Sequence, residues 1–261
     1  MTDQFNIQSL PRFSSLLIIF ALGPVANAAP IIDSTSKAEI NWSTMKIRLI
    51  GEAKFDDTNV QESLKKIEQA AWQDGIQNAT PEISKVFQTR PDLEKELPSA
   101  SVAAKRAVDG ILSHNTTYYA HGRVRVELEN SLASALVPEH LTFKTAAEPN
   151  VAALAYSGVV FKVSGNMKPR AAYTIKDETG AILFAPSDVA EVAFKKNLMG
   201  KWFRRPNQFE VSSAIGANPL TVAATTGADG SLVVSKADWQ KVADGNLALL
   251  QASQIVISLS K

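Results

Sequence analysis

Alternation of apolar and polar residues predicts two half-buried strands in the first half of the chain. In the segment 39–53, Ile47 and Leu49 alternate with charged neighbours, and a period of two residues is typical of a strand with one buried face. We expect Gly51 to end this strand. The segment 116–128 repeats the pattern, with valine and leucine on one face and arginine and glutamate on the other.

Two helices are predicted between these strands, because apolar residues recur there at spacings of three and four. The first helix is expected from Asp57, a suitable N-cap, to about Asn78, and the second covers 99–113. Residues 79–98 contain three prolines and are predicted to be mainly connection, with a short helix at 83–87. The first half is therefore predicted to be a β-α-α-β unit.

The second half is predicted to be a sheet with two helices. It is expected to begin with a strand at 153–163, a hairpin at 171–184 and a helix at 187–198. Three short strands follow at 209–213, 220–224 and 232–234, and then a helix at 236–244 and a last strand at 254–259. The hairpin turns at the Asp177–Gly180 segment. Strands and helices do not alternate strictly in either half, which favours an α+β fold over a doubly wound sheet.

The first 28 residues have the three parts of an export signal. Residues 1–12 are polar and slightly positive, residues 13–22 form an apolar run, and a small-x-small cleavage pattern ends at Ala28. Crossing a membrane takes about 20 apolar residues, and this run is about half as long. We expect cleavage between Ala28 and Ala29, a periplasmic or secreted location, and no transmembrane segment in the mature chain.

Composition shifts and prolines divide the rest of the chain. The predicted organisation is a signal peptide at 1–28, a flexible leader at 29–38, an N-terminal α+β module at 39–137, a linker at 138–150 and a C-terminal α+β module at 151–261. No internal repeat is visible.

Composition and motifs argue against several kinds of chemistry. The formal net charge of +1 argues against a generally basic nucleic-acid binder. The absence of cysteine excludes a disulfide, a thiol nucleophile, a cysteine-based metal site and a lipoprotein anchor. The histidines His114, His121 and His140 are too irregularly spaced for a helical metal pair. Because no motif for nucleotide binding, serine hydrolysis or zinc proteolysis occurs, we predict no catalytic residue, metal or cofactor.

Five cations and three aromatic residues lie close together in the segment 194–206. The candidate binding residues within it are Lys195, Lys196, Lys201, Trp202, Phe203, Arg204 and Arg205. In one interpretation they contact anionic lipid headgroups, an anionic envelope polymer such as lipopolysaccharide or peptidoglycan, or an acidic partner, with Trp202 and Phe203 as apolar anchors. In the other, the cations stabilise a helix C-terminus and the two aromatic side chains lie in the core.

Short patterns in the second half resemble a group of exported bacterial proteins. The patterns are YSGVVF at 156–161 followed by Gly165 and Pro169, IKDETG at 175–180, NPLTVAA at 218–224, LVVS at 232–235 and IVI at 255–257. They resemble a strand, a hairpin and the ending of proteins related to flagellar assembly protein T and to the lipoprotein 20 family. The resemblance implies an envelope assembly or scaffolding role linked to motility, and it brings no catalytic residue. Ala223 stands where the family pattern has lysine.

Three hypotheses of function follow. The first is a non-enzymatic envelope or periplasmic interaction protein whose partner is an envelope protein or an anionic envelope polymer. The second is a periplasmic hydrolase of wall polymers, which requires two or three converging carboxylates in a pocket. The third is a small-ligand-binding module in which Tyr118, Tyr119 or Trp202 stacks on the ligand in a cleft between the halves.

Overall fold

The computed structural model describes residues 29–54, 60–90 and 97–260, so the predicted signal peptide lies outside the described residues. The chain forms two β-sheets with helices packed against them, which confirms the predicted α+β class. The first sheet is antiparallel and has the order β1-β2-β3-β5-β4. Its strands are β1 (Ile32–Ser34), β2 (Ala38–Asn41), β3 (Lys46–Lys54), β4 (Ser113–Tyr118) and β5 (Arg123–Ser131).

The leader predicted to be flexible at 29–38 is instead part of this sheet. Strand β1 pairs with β2, Ile31 is buried, and the Ile31 backbone N–H donates to Ser43 Oγ at 3.0 Å. Thr35 Oγ1 accepts a hydrogen bond from the Ala38 backbone N–H at 3.0 Å in the connection that follows. The prediction was wrong because a three-residue edge strand is too short to show a periodic pattern.

Each of the two segments predicted to be a strand in the first half contains parts of two paired strands, which form a hairpin. The segment 39–53 contains β2 and β3, which are joined by a turn in which Met45 has a φ of 57°. The segment 116–128 likewise spans parts of β4 and β5. Strand β5 shows the predicted alternation, with every second side chain buried.

Helices α1 (Val60–Gln88), α2 (Ala100–Asp109) and α3 (Leu132–Leu136) pack on the apolar side of this sheet. Helix α1 continues through Pro81, so the predicted connection is wrong at residues 79–82 and 88, and the short helix predicted at 83–87 is part of α1. Ala79, Ile83 and Val86 are buried at helical spacing on both sides of Pro81. Their burial offsets the single backbone hydrogen bond that a proline removes.

Close approach of α1 to β3 depends on two glycines. A Cβ atom added to Gly51 would lie 1.8 Å from the Ala71 carbonyl oxygen, and one added to Gly75 would lie 3.2 Å from the Gly51 nitrogen. Gly51 lies inside β3, so the expectation that it ends the strand was wrong. Glycine at position 51 avoids a steric clash between β3 and α1.

The second sheet has seven strands in the order β8-β7-β11-β10-β6-β12-β9. The strands are β6 (Gly158–Ser164), β7 (Ile175–Lys176), β8 (Ile182–Phe184), β9 (Lys201–Arg204), β10 (Pro219–Thr226), β11 (Leu232–Val233) and β12 (Ile255–Leu259). Strands β10, β6, β12 and β9 are parallel, so their carboxyl ends meet at one edge of the sheet, here called the carboxyl edge.

Four α-helices accompany the second sheet in the described residues, where the sequence predicted two. They are α4 (Glu191–Asn197), α5 (Gln208–Ile215), α6 (Lys236–Ala243) and α7 (Leu247–Gln251). The predicted strand at 209–213 is wrong, because these residues belong to α5. The Asn207 side chain accepts from the Glu210 backbone N–H and the Glu210 carboxylate accepts from the Asn207 backbone N–H, a capping box that starts this helix.

The strands of the first sheet lie between residues 32 and 131 and those of the second between residues 158 and 259, and the segment 138–150 has neither helix nor strand. The two sheets nevertheless share one continuous apolar core that includes both Trp42 and Trp202. The Trp202 backbone N–H donates to the Trp42 carbonyl oxygen at 3.1 Å, so the modules are bonded to each other through β9. Among the described residues, no helix has the length and apolar character needed to cross a membrane.

Candidate functional site

The basic segment predicted from the sequence forms the end of α4, a turn and strand β9. Leu198 has a φ of 53° and Gly200 a φ of 134°, and this turn reverses the chain between the helix and the strand. Strand β9 is at the edge of the second sheet, with β12 on one side and a bridge between Phe203 and Pro30 on the other. The segment therefore lies where the two halves of the molecule meet.

Trp202 is in the core and is not available for surface contacts. Its side chain is fully buried, and its ring meets that of Tyr173 edge-on with centroids 5.5 Å apart. Phe203 is half-buried on the other face of β9, where it packs with Val160 and Val256 near α5. The interpretation of Trp202 as an exposed apolar anchor is therefore wrong, and the tryptophan is a packing residue.

The five cations do not form one patch. Lys195 pairs with Glu191 at 2.5 Å on the surface of α4, while Lys196 and Lys201 lie at the amino end of β9. Arg204 and Arg205 lie at its carboxyl end. Arg205 has a φ of 49°, and its Nε donates to the Ser260 carbonyl oxygen at 2.8 Å. The segment thus supplies cations to two separate places.

One of these places is a cleft of about 690 Å³ at the carboxyl edge. Its wall on one side is formed by residues 29–33 and the end of α1, and on the other by the loop 165–169 that follows β6, with Arg204 and Leu259 beside it. In open sheets with parallel strands, ligands bind outside the carboxyl ends of the strands, where connections leave in opposite directions. We call this cavity the carboxyl-edge cleft.

An ion pair between buried Arg90 and partly buried Asp33 forms part of the cleft. Arg90 is 4% exposed, its guanidinium donates to Asp33 at 2.6 Å and to the Pro169 carbonyl oxygen at 2.5 Å, and it lies 5.9 Å from the Trp42 ring centroid. The Trp42 indole N–H also donates to Asp33, at 2.8 Å. These contacts hold the end of α1, strand β1 and the loop after β6 in fixed positions.

Two further cations line the cleft without a neutralising partner. Lys168 and Arg204 are both exposed, and neither side chain has a hydrogen bond or an ion pair in the part of the chain that the structure describes. Among the described lining residues Asp33 is the single carboxylate, and Arg90 already neutralises it. The described residues therefore give the cleft an excess of positive charge, which suits an anionic ligand.

The loop after β6 also borders a neighbouring cavity of about 300 Å³ on the other side of Lys168. The loop 226–230 after β10 forms its far wall. Asp229 in this wall accepts from Lys176 Nζ at 2.6 Å and from Ser231 Oγ at 2.6 Å, and these bonds hold the pKa of its carboxyl far below the usual range. Lys168 thus lines two cavities, and the nearby Asp229 carboxylate already accepts hydrogen bonds from Lys176 and Ser231.

The converging carboxylates required by the hydrolase hypothesis are not found in the cavities described here. In five cavities lined by described residues, the carboxylates are Asp33, Glu129 and Asp229, and none of these cavities contains two of them. No group of three potential metal ligands occurs among the described residues.

The aromatic residues proposed to stack on a small ligand do not come together. Tyr119 lies against Arg123, with the guanidinium carbon 4.3 Å from the ring centroid, and Tyr118 hydrogen-bonds to Glu68. Both are at the β4–β5 hairpin, whereas Trp202 is in the core of the second half. None of the three lines any of the five cavities.

No protein-family model matches this chain, and no curated protein shows significant similarity to it. The resemblance to flagellar assembly protein T and the lipoprotein 20 family stays a prediction.

Sequence reasoning did not identify Asp33, Arg90 or Lys168 as site residues. The sequence does give an indication of Lys168, because this residue lies between Gly165 and Pro169 in the loop directly after the most apolar predicted strand. Loops at the carboxyl ends of strands often carry functional residues. The sequence gives no such indication of Arg90 and Asp33, since they are 57 residues apart and only the fold brings them together.

Proposed function

We propose that this chain is a non-enzymatic assembly or scaffolding protein of the bacterial envelope, acting in the periplasm or after secretion. It binds an anionic partner, an envelope protein or an envelope polymer, through the carboxyl-edge cleft. The observation that supports this most directly is that Lys168 and Arg204, two exposed cations from different elements, line one cleft in which Arg90 already neutralises Asp33, the only carboxylate among the described lining residues.

The support for binding, as opposed to catalysis, comes from the chemistry of the cleft. Arginine and lysine recognise carboxylate and phosphate groups through charge-assisted hydrogen bonds. The cleft contains no nucleophile and base in hydrogen-bond contact among the described residues. Its fixed walls favour a preorganised binding surface, which lowers the entropic cost of association.

The experiment is co-sedimentation of the purified full chain with isolated envelope fractions over a range of salt concentrations. Charge reversal in the double variant Arg204→Glu, Lys168→Glu should reduce the bound fraction several-fold, and added salt should weaken wild-type binding because it screens exposed charges. The matched control is Lys195→Glu, which changes an exposed cation of the same basic segment outside the cleft.

Circular dichroism and the thermal midpoint establish that each variant is folded. Equal sedimentation of wild-type protein and the double variant would overturn the assignment of the cleft as the binding site. Loss of binding in the Lys195 control alone would place the contact on α4 instead.

A further inference from the structure

A second cavity lies at the amino end of β9, at the opposite edge of the second sheet from the carboxyl-edge cleft. Its volume is about 250 Å³, and its walls come from both halves of the molecule. Lys46 and Glu129 line it from the first sheet, Lys196 and Lys201 from α4 and β9, and Leu112 from the connection before β4.

Three lysines and one glutamate face this cavity, and the glutamate is already fully engaged. Glu129 accepts from Lys46 Nζ at 2.6 Å and from the Arg48 guanidinium at 2.8 Å. The side chains of Lys196 and Lys201 have neither a hydrogen bond nor an ion pair within the described ranges of the chain. The cavity therefore contains two cations without a counter-charge.

The burial of Lys201 makes its missing partner significant. Its side chain is half-buried in strand β9, and burial together with the charge of nearby Lys196 lowers the pKa of its ammonium group. A half-buried ammonium group that has lost hydration and has no side-chain partner among the described residues is destabilising. An anion placed between the two lysines supplies the missing partner for both.

Leu112 gives the cavity an apolar margin. It is 76% exposed and lines the same cavity as the two lysines. An exposed leucine beside unpaired cations suits a ligand that has an anionic group and an adjoining apolar part.

We propose that Lys196 and Lys201 form a binding site for a phosphate group, free in solution or in a lipid headgroup. The site is independent of the carboxyl-edge cleft, because it uses different residues at the opposite end of β9.

Binding of sodium phosphate, glycerol phosphate and phosphatidylglycerol vesicles to the full chain tests this proposal. The measurements are titration calorimetry and the thermal midpoint at constant ionic strength, with sodium chloride and phosphatidylcholine vesicles as references. Lys201→Met and Lys196→Gln should each weaken phosphate binding by about tenfold, since each removes one charge-assisted hydrogen bond. Lys195→Met, which alters the adjacent and already paired lysine, should bind as wild type does.

A second readout separates a binding role from a structural one. Lys201→Met should raise the thermal midpoint of the ligand-free protein, because it removes a half-buried unpaired charge while keeping the apolar stem. If Lys201→Met folds poorly, Lys196→Gln alone still tests binding, because Lys196 is exposed.

The source of the phosphate follows from which ligand binds. Binding of the two soluble phosphates assigns the site to a free anion, and binding of phosphatidylglycerol vesicles alone assigns it to a lipid headgroup. The proposal is overturned if none of the three binds, or if both lysine variants bind as tightly as wild type. The Arg204→Glu, Lys168→Glu variant should still bind phosphate at Lys196 and Lys201. Failure of the phosphate-site proposal can therefore be distinguished from failure of the carboxyl-edge cleft as the binding site for the envelope partner.

Discussion

Ser43 and Trp202 are 159 residues apart in the chain and are joined by a buried hydrogen bond, in which Ser43 Oγ donates to the Trp202 carbonyl oxygen at 2.5 Å. The same hydroxyl accepts from the Ile31 backbone N–H at 3.0 Å. One side chain therefore satisfies two backbone groups, one in the edge strand of the second sheet and one before β1. This three-way contact fixes how the halves of the molecule meet.

Replacement of Ser43 by alanine should reduce the free energy of unfolding by about 1–3 kcal/mol, because two buried backbone groups lose their partner. Urea denaturation followed by tryptophan fluorescence measures the change. Ser134→Ala is the control, since Ser134 is exposed, and it should change stability by less than about 0.5 kcal/mol. Equal stabilities of the two variants would show that the Ser43 hydroxyl does not connect the halves.

Gly51→Ala should be among the most destabilising single-methyl additions in the chain. The new Cβ would lie 1.8 Å from the Ala71 carbonyl oxygen, so β3 and α1 must separate, and overpacking of this kind costs about 1–3 kcal/mol or more. Gly75→Ala provides a graded comparison, because its nearest neighbours would be 3.2 and 3.3 Å away and one of them is a mobile leucine methyl. A larger loss for Gly75→Ala than for Gly51→Ala would contradict this account. Chemical denaturation of both variants gives the order.

Elements with a clear period could be predicted from the sequence, and elements that depend on distant contacts could not. Strands β6, β10 and β12 and helix α6 lie within or close to their predicted positions, because apolar runs, alternation and turn residues are local signals. The strand predicted at residues 209–213 is instead part of α5, since the prediction did not take account of the capping box at Asn207. The path of α1 through Pro81 was missed because burial of its neighbours outweighs a local helix breaker.

The candidate sites show the same limit. Sequence proximity placed Trp202 beside the cations of the basic segment, whereas alternation along β9 directs its ring into the core. Strand β9 separates Lys196 and Lys201 at its amino end from Arg204 and Arg205 at its carboxyl end, and each pair therefore lies at a different edge of the second sheet. Arg90 and Asp33 meet only through tertiary structure, so no local pattern could indicate their pairing.

Arg90→Met should lower the free energy of unfolding by about 3 kcal/mol, because the Pro169 carbonyl oxygen loses this donor and the Asp33 carboxylate, still bonded to the Trp42 indole N–H, loses its neutralising cation. Asp33→Asn should also destabilise the protein, since it removes the charge that neutralises a buried guanidinium. In the double variant the two losses should be less than additive, and a double-mutant cycle measured by urea denaturation gives the coupling. Additive losses would mean that the ion pair does not link β1 to the end of α1.

Acid should destabilise the protein partly through Glu129. Hydrogen bonds from Lys46, and then from Arg48, hold the pKa of this carboxyl below its usual range despite the opposing effect of burial. An unfolded glutamate titrates near pH 4.3, so the stabilisation from Glu129 is fully present above that pH and is lost as the pH falls through the lower folded pKa. Glu129→Gln should therefore be less stable than wild type at pH 7 and should lose less stability between pH 6 and pH 3.

Urea denaturation at several pH values tests this, with the exposed Glu148→Gln as the control that should follow wild type. Parallel stability curves for wild type and Glu129→Gln would contradict it, and would show that the two cations do not depress the pKa of Glu129.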